Sequence, residues 1–384
     1  SGLARIFLPK SLYKNIQKQI WHNTVRSKKK IINKGKTKKK KKILILTLII
    51  LSFSCTKQEK QLPQKITNEK NQTKAKKLQI GFSIDTLAIE RWQRDLDIFM
   101  NKAHELGADV IVQNAGNSAE EQNRQLLYLL EKQVDTIIIV AKEAKSLTDT
   151  IHKIKNKNIP IIAYDRIILD APIDLYLTID SEKVGETMAK GLLNATKGTN
   201  WFYILGPEED FNMTLIKEGI AKCITNTNIN ISHIYYTNSW NYDLSHQEMN
   251  RLLAKEQIPD AIVCGNDAIA DSVIQSISKY SPDKDIAICG QDADIVACQY
   301  IIQEKQTFTV YKPITKLAEL AAEYAIKLAK KESLHIPEKW RKSINNGHSE
   351  IPGLWLEPTL VNKENLDEVI INSGFHPSTS IYGN

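Results

Sequence analysis

From Leu78 onward, apolar and polar positions fall into two alternating rhythms. Short runs rich in branched and aromatic side chains, "LQIGFSI", "ADVIVQNA", "DTIIIVA", "IPIIAYD" and "LYLTID", read as strands. Longer stretches between them repeat their apolar residues every three or four positions; Ile89, Trp92, Leu96, Phe99 and Met100 make one such helical face. A second series, "NWFYILG", "ISHIYYT", "DAIVCGND", "DIAICGQD" and "TFTVYK", has the same rhythm. Continuous apolar strands separated by helices predict parallel sheets covered on both faces, hence two doubly wound α/β lobes. No Pro- or Gly-rich linker parts them, so the chain is expected to cross through strand-like hinges. A pair of this kind encloses a cleft at the carboxyl ends of its strands, where ligands of open α/β sheets bind.

The first 77 residues follow neither rhythm. "KTKKKKKILILTLIILSFSC" sets lysines before an apolar run from Ile43 to Phe53 and ends in Ser54-Cys55. That is the order of an export signal, too short for a membrane span of about 20 residues. A cysteine directly after the apolar run resembles the lipobox of bacterial lipoproteins, which implies a lipid on Cys55 and a membrane anchor. Residues 38–54 are therefore expected to be the signal and 55–77, rich in Lys, Gln, Asn and Thr, a flexible tether. Residues 1–37 contain no methionine and are read as a spurious or disordered leader.

Charge divides at the same place. Residues 1–77 hold 22 Lys and Arg against two acids, which leaves 30 bases against 42 acids in the rest of a chain whose formal charge is +8. The folded part is acidic, so a nucleic-acid-binding face is not expected on it. The five cysteines, Cys55, Cys223, Cys264, Cys289 and Cys298, lack zinc-ligand spacing, and no metal or other cofactor is expected. The last four read as small buried thiols, with a Cys264–Cys289 disulfide left open.

The strand ends share a chemistry. "IPIIAYDR" ends in Asp165-Arg166, "LYLTID" in Asp180, "AIVCGND" in Asn266-Asp267, "AICGQD" in Gln291-Asp292 and "TFTVYK" in Lys312. Asp and Asn at such places also cap helices, but Arg, Gln and Lys are not favoured caps. Carboxylates, amides and cations together suit a polyhydroxylated ligand, whose hydroxyls both donate and accept. A sugar also has an apolar C–H face, which an indole can cover while a guanidinium binds the rim. Arg91-Trp92, just after the first strand, fits that description, and core packing is the competing role for Trp92. Trp240, in "YYTNSWNYD", is a second aromatic candidate, with loop anchoring as its alternative.

These residues carry a resemblance. "GFSIDTLAIERWQRDLDIF", "IIAYDRII", "IDSEKVGE", "CGNDAIA", "GQDAD", "TFTVYKPIT" and "VIINSGFH" resemble, in the same order, the periplasmic sugar-binding proteins of bacterial ABC transporters. The likeness implies a type I periplasmic-binding-protein fold, two α/β lobes joined by a three-crossing hinge and closing over one sugar. The lobes it implies are 78–180 with 307–335 returning to it, and 181–306 with 336–376 returning to it, 377–384 being a tail. It implies ligand contacts at Arg91, Asp165, Arg166, Asp180, Asn266, Asp267, Asp292 and Lys312, and at Asn212 in "GPEEDFNMTL". The ligand it implies is a monosaccharide, D-xylose or a similar aldose. The protein would be a monomer in the periplasm or cell envelope.

On this reading the partner is an ABC permease, or alternatively a membrane sensor kinase that reads the bound sugar. A repressor of the same two-lobed fold needs a helical DNA-binding head, and residues 1–77 show no such helical trio. An enzyme needs a nucleophile and base, yet no GxSxG, HExxH, P-loop or GxGxxG motif occurs.

Overall fold

All ten expected strands form, and they sort into two sheets. The computed structural model describes residues 77–281 and 283–383. The leader, the export segment, Cys55 and all of the tether but Lys77 lie outside these residues.

In the first lobe, strand β1 (Leu78–Ile84) leads to helix α1 (Glu90–Glu105), β2 (Ala108–Asn114), α2 (Ala119–Glu131), β3 (Thr136–Val140), α3 (Thr148–Lys155), β4 (Ile161–Tyr164) and β5 (Leu175–Ile179). The second lobe runs through α4 (Ser181–Ala195), β6 (Asn200–Leu205), α5 (Phe211–Ile224), β7 (Asn230–Tyr236), α6 (Tyr242–Leu253), β8 (Ala261–Cys264), α7 (Asp267–Tyr280), β9 (Ala287–Gln291), α8 (Ile295–Ile302) and β10 (Phe308–Tyr311). The remaining elements are α9 (Ile314–Ala329), β11 (Arg341–Asn345), β12 (Glu350–Leu356), β13 (Thr359–Val361) and the short helix α10 (Ser378–Tyr382).

The strand orders are β11-β12-β5-β4-β3-β1-β2 and β13-β10-β9-β8-β6-β7. Each sheet is parallel except for one antiparallel partnership, β11 with β12 and β13 with β10. Strand order reverses between β1 and β3 in one lobe and between β6 and β8 in the other, and these switch points open toward a common cleft. The central strands are fully buried, as two-sided coverage requires; β3, β5 and β9 have no exposed residue.

The chain crosses between lobes three times, but not where 307–335 and 336–376 placed the returns. β10 pairs with β9, so residues 308–311 complete the second sheet and only α9 returns to the first. β12 pairs with β5, so the β11–β12 hairpin extends the first sheet before β13 returns to the second. The crossings therefore fall at Asp180, at Lys312-Pro313 and at residues 357–358. The first and third are tied together, since Asp180 N–H donates to Leu356 O over 2.9 Å. Residues 377–384 are more than a tail, because Ile381 of α10 is buried in an apolar cluster with Cys298 and Leu366.

Cys264 and Cys289 are free thiols. In the β8–β9 register Cys289 lies opposite Val263, so Cys264 faces the other side of the sheet and the two sit in separate cores. Among the described residues no helix is long and apolar enough to cross a membrane.

Candidate functional site

Between the two switch points lies a cleft lined from both lobes. The first contributes Ile89, Arg91, Trp92, Asp165 and Arg166; the second contributes Ser181, Asp210, Asn212, Met213, Trp240, Asn266, Gln291 and Asp292, with Lys312 at a crossing. Nine of the eleven residues expected at a ligand are thus brought together, along with Gln291.

Arg91 is the centre of the charge arrangement. It is the second residue of α1, past the five-residue loop that follows β1, is only 6% exposed, and pairs with Asp165 through Nη2. Its Nη1 lies 3.8 Å from Asp292 Oδ1 across the cleft, and its Nη2 lies 3.7 Å from Asp95 one helical turn on. Asp292 in turn sits 2.7 Å from Lys312 Nζ. Asp165 and Asp292 follow β4 and β9 with φ of 63° and 101°, left-handed values that non-glycine residues seldom adopt. Such strain is held where the surroundings over-determine it, here by hydrogen bonds to the backbone and side chains of neighbouring strands. Asp165 O, for example, accepts from Tyr176 Oη and Thr178 Oγ1.

Burial alone would raise the Asp165 pKa, but Arg91 and Lys312 outweigh it and hold the carboxyl below its ordinary range. Burial also disfavours the charge on Arg91, yet Asp165, Asp95 and Asp292 together raise its pKa. Arg166 is raised likewise against its burial, by Asp210 and Asp85. Behind this layer Asp95 accepts from Tyr164 Oη at 2.8 Å, and burial pushes its pKa up to about 7.

Trp92 both packs in the core and lines the cleft. It is 3% exposed and belongs to the main apolar core, while lining the cleft with the Arg91 and Arg166 guanidinium carbons 4.6 and 5.5 Å from its ring centroid. Trp240 comes from the facing lobe, on a three-residue helical turn in which Ser239 and Trp240 both have positive φ. Its indole fills space that Gly206 leaves open: a Cβ there would lie 2.3 Å from the ring.

Asn266 caps α7 through Oδ1, which accepts from Ile269 N, and its Nδ2 lies 3.4 Å from Tyr242 Oη. Gln291 donates to Gly265 O at 2.6 Å. Asn212 reaches across the cleft, donating Nδ2 to Asp165 Oδ1 at 3.0 Å. Four buried polar atoms of this lining have no hydrogen-bond partner: Arg91 Nε, Trp92 Nε1, Asn212 Oδ1 and Asp292 Oδ1, the last held by its ion pairs alone. Buried polar groups are otherwise nearly always paired, so the cleft offers unused donors and acceptors.

Two expected contacts do not line the cleft. Asp180 caps α4, accepting from Lys183 N at 3.2 Å, and pairs with Lys342 on β11. Asp267 is 2% exposed and accepts from Thr309 Oγ1 at 2.8 Å, Gln306 Nε2 at 2.9 Å and Asp294 N at 3.0 Å. A Cβ on Gly290 would stand 2.1 Å from Asp267 Oδ1, so this carboxyl is packed inside the second lobe and anchors the segment that carries Asp292.

Three charged groups were not anticipated. Asp85, at the end of β1, lies 2.5 Å from Arg166 Nη1; Asp210, the cap of α5, lies 2.9 Å from Arg166 Nε; and Lys142, just past β3, lies 3.5 Å from Glu209. Asp85 and Lys142 stand just past the ends of β1 and β3, the same kind of position that marks Asp165 and Lys312 in the sequence.

A model of a periplasmic binding protein domain matches residues 80–333. Over 313 residues the chain is 39% identical to the D-xylose-binding periplasmic protein of Haemophilus influenzae, a match spanning 80% of this chain and 93% of that protein. It is 37% identical over 312 residues to the D-xylose-binding periplasmic protein of Escherichia coli, covering 80% and 93%. Among solved structures, an ABC transporter solute binding protein from Clostridium phytofermentans with bound beta-D-glucose superposes with a TM-score of 0.73 at 22% identity. That match covers 79% of this chain and 99% of the other, and it is a likeness of fold.

Proposed function

The chain belongs to the periplasmic binding protein family, and we propose that it is a receptor that captures a monosaccharide, D-xylose foremost, in the cleft between its lobes. The observation that carries this reading is the set of buried atoms without a hydrogen-bond partner, Arg91 Nε, Trp92 Nε1, Asn212 Oδ1 and Asp292 Oδ1, beside Asp165, Asn266 and Lys312. Donors and acceptors interleaved at this density match the hydroxyl edges of a pyranose, and the Trp240 indole suits its C–H face. Because both lobes supply groups, the ligand binds the closed form better than the open one and shifts the population toward closure.

Closure then makes a surface that a membrane permease of the ABC type recognises, and a lipid on Cys55 keeps the monomeric receptor beside that permease in the cell envelope. Binding without chemistry fits the electrostatics. A glycosidase needs a protonated acid at the bond to be broken, whereas the Asp165 pKa is held below its ordinary range and the acids whose pKa burial raises, Asp85, Asp95, Asp267 and Asp294, do not line the cleft.

Titration calorimetry with D-xylose, L-arabinose, D-ribose and D-glucose tests the reading. One-to-one binding with D-xylose the tightest is expected; heats of dilution alone for all four sugars would overturn it.

A further inference from the structure

The turn that opens α5 belongs to the second lobe, yet four of its side chains in succession meet the first. Glu209 lies 3.5 Å from Lys142 Nζ, and Asp210 Oδ2 lies 2.9 Å from Arg166 Nε. Phe211 packs against the outer apolar cluster of the first lobe, which includes Ile167, Ile168 and Tyr176. Asn212 donates to Asp165. Asp210 and Asn212 also line the cleft, but Glu209 and Phe211 do not.

We propose that the Glu209–Asn212 turn is a closure latch, a set of direct lobe-to-lobe contacts that fixes how much of the sugar-free protein is already closed. Through it, Glu209 and Phe211, which do not line the cleft, set the affinity. The Lys142–Glu209 pair contributes least, since the Glu209 side chain is 46% exposed and solvent screens it. Phe211 contributes most. Its ring is partly buried against first-lobe side chains and belongs to no apolar cluster of its own lobe, so opening the cleft exposes it to water. Asp210 acts through Arg166 as a positioning residue, holding that guanidinium between itself and Asp85.

When only the closed form binds, the apparent dissociation constant is the intrinsic one divided by the closed fraction. Loosening the latch therefore weakens every ligand by one common factor and leaves the ratio between ligands unchanged. A residue that touches the sugar changes that ratio, because different sugars present different atoms to it.

The affinity arm of this inference rests on the receptor reading; a second arm does not. Nitroxides placed at Lys153 on the first lobe and Lys279 on the second, both exposed, report the interlobe distance by pulsed electron resonance in the full chain without sugar. Phe211→Ala should move that distribution to longer distances. It should also raise the dissociation constants of D-xylose and of the next-best sugar by the same factor, about tenfold. Glu209→Lys, an exposed change that sets two cations face to face, should act in the same direction and guards against a folding defect in the first variant. An unchanged sugar-free distance distribution in both variants, or a loss confined to one sugar, would overturn the latch. If no sugar binds even the unaltered protein, the receptor reading falls and the distance measurement still decides the latch.

Discussion

Asp165 and Asp292 are counterparts: each follows the corresponding strand of its own lobe, each has a positive φ, and both face the Arg91 guanidinium. Two lobes of the same topology thus place matching carboxylates on either side of one cation. Asp292→Asn keeps the shape of the side chain and removes the charge opposite Arg91 and Lys312. It should weaken D-xylose binding about 10- to 100-fold, the range for a charged hydrogen bond, with little change in melting temperature. Calorimetry beside thermal unfolding checks this, and an affinity within twofold of the parent would remove Asp292 from the ligand contacts.

Asp267 should behave in the opposite way. Asp267→Ala strands the Thr309 hydroxyl, the Gln306 amide and the Asp294 N–H inside the second lobe. A loss of about 2–4 kcal/mol in denaturant unfolding is expected. Lost affinity in a variant of unaltered stability would instead restore Asp267 as a ligand contact.

Gly206→Ala tests the seat of Trp240. The added methyl would occupy the place of the indole, so the ring must leave its position. Binding should weaken about as much as in Trp240→Ala, and the double variant should lose little more than either single one, since both remove the same platform. Additive losses would mean that the two residues act separately.

Asp95 gives the fold a pH dependence of known sign. Its native pKa, pushed up to about 7 by burial against the opposing effects of Arg91 and Tyr164, exceeds the value of about 3.9 in an unfolded chain. Between those values the native state binds more protons. The contribution of this group is therefore fully present below about pH 4 and is lost as pH rises through about 7. Asp95→Asn keeps an acceptor for Tyr164 and removes the titration. Relative to the parent, the variant should gain on the order of 3 kcal/mol between pH 4 and pH 8. Parallel stability curves for the two proteins would show that Asp95 is already ionised in the native state.

Because Cys264 and Cys289 face different cores, reductant should leave the melting temperature of the folded lobes unchanged. A fall on reduction would reveal a cross-link that this register forbids.

The strands were legible because their apolar runs are continuous, and β1 to β10 all lie where composition put them. What the sequence hid was partnership. Residues 308–311 read as a strand, but nothing local in "TFTVYK" says that it pairs with β9 rather than returning to the first sheet. Edge strand β11 was invisible for another reason: "RKSIN" has four exposed positions in five and no apolar face, as suits an edge guarded by charge. In the cleft, residue type alone separated neither Asp180 nor Asp267 from Asp165 and Asp292. All four end strands or begin helices, and only the three-dimensional hydrogen-bond pattern shows which carboxylates are already engaged. Asp210 caps a helix, accepting from Asn212 N, and nothing in its sequence context marks its second role beside Arg166.

Three separate ribbons join the lobes at Asp180, at Lys312-Pro313 and at residues 357–358, and the outer two are hydrogen-bonded to each other. Each added ribbon restricts how the halves can move, and the bond from Asp180 N–H to Leu356 O couples two of the three, which favours a hinge-like rotation over a free swivel. A cleft that opens by a hinge-like rotation turns occupancy into a change of interlobe angle, which is legible from outside without contact with whatever lies within.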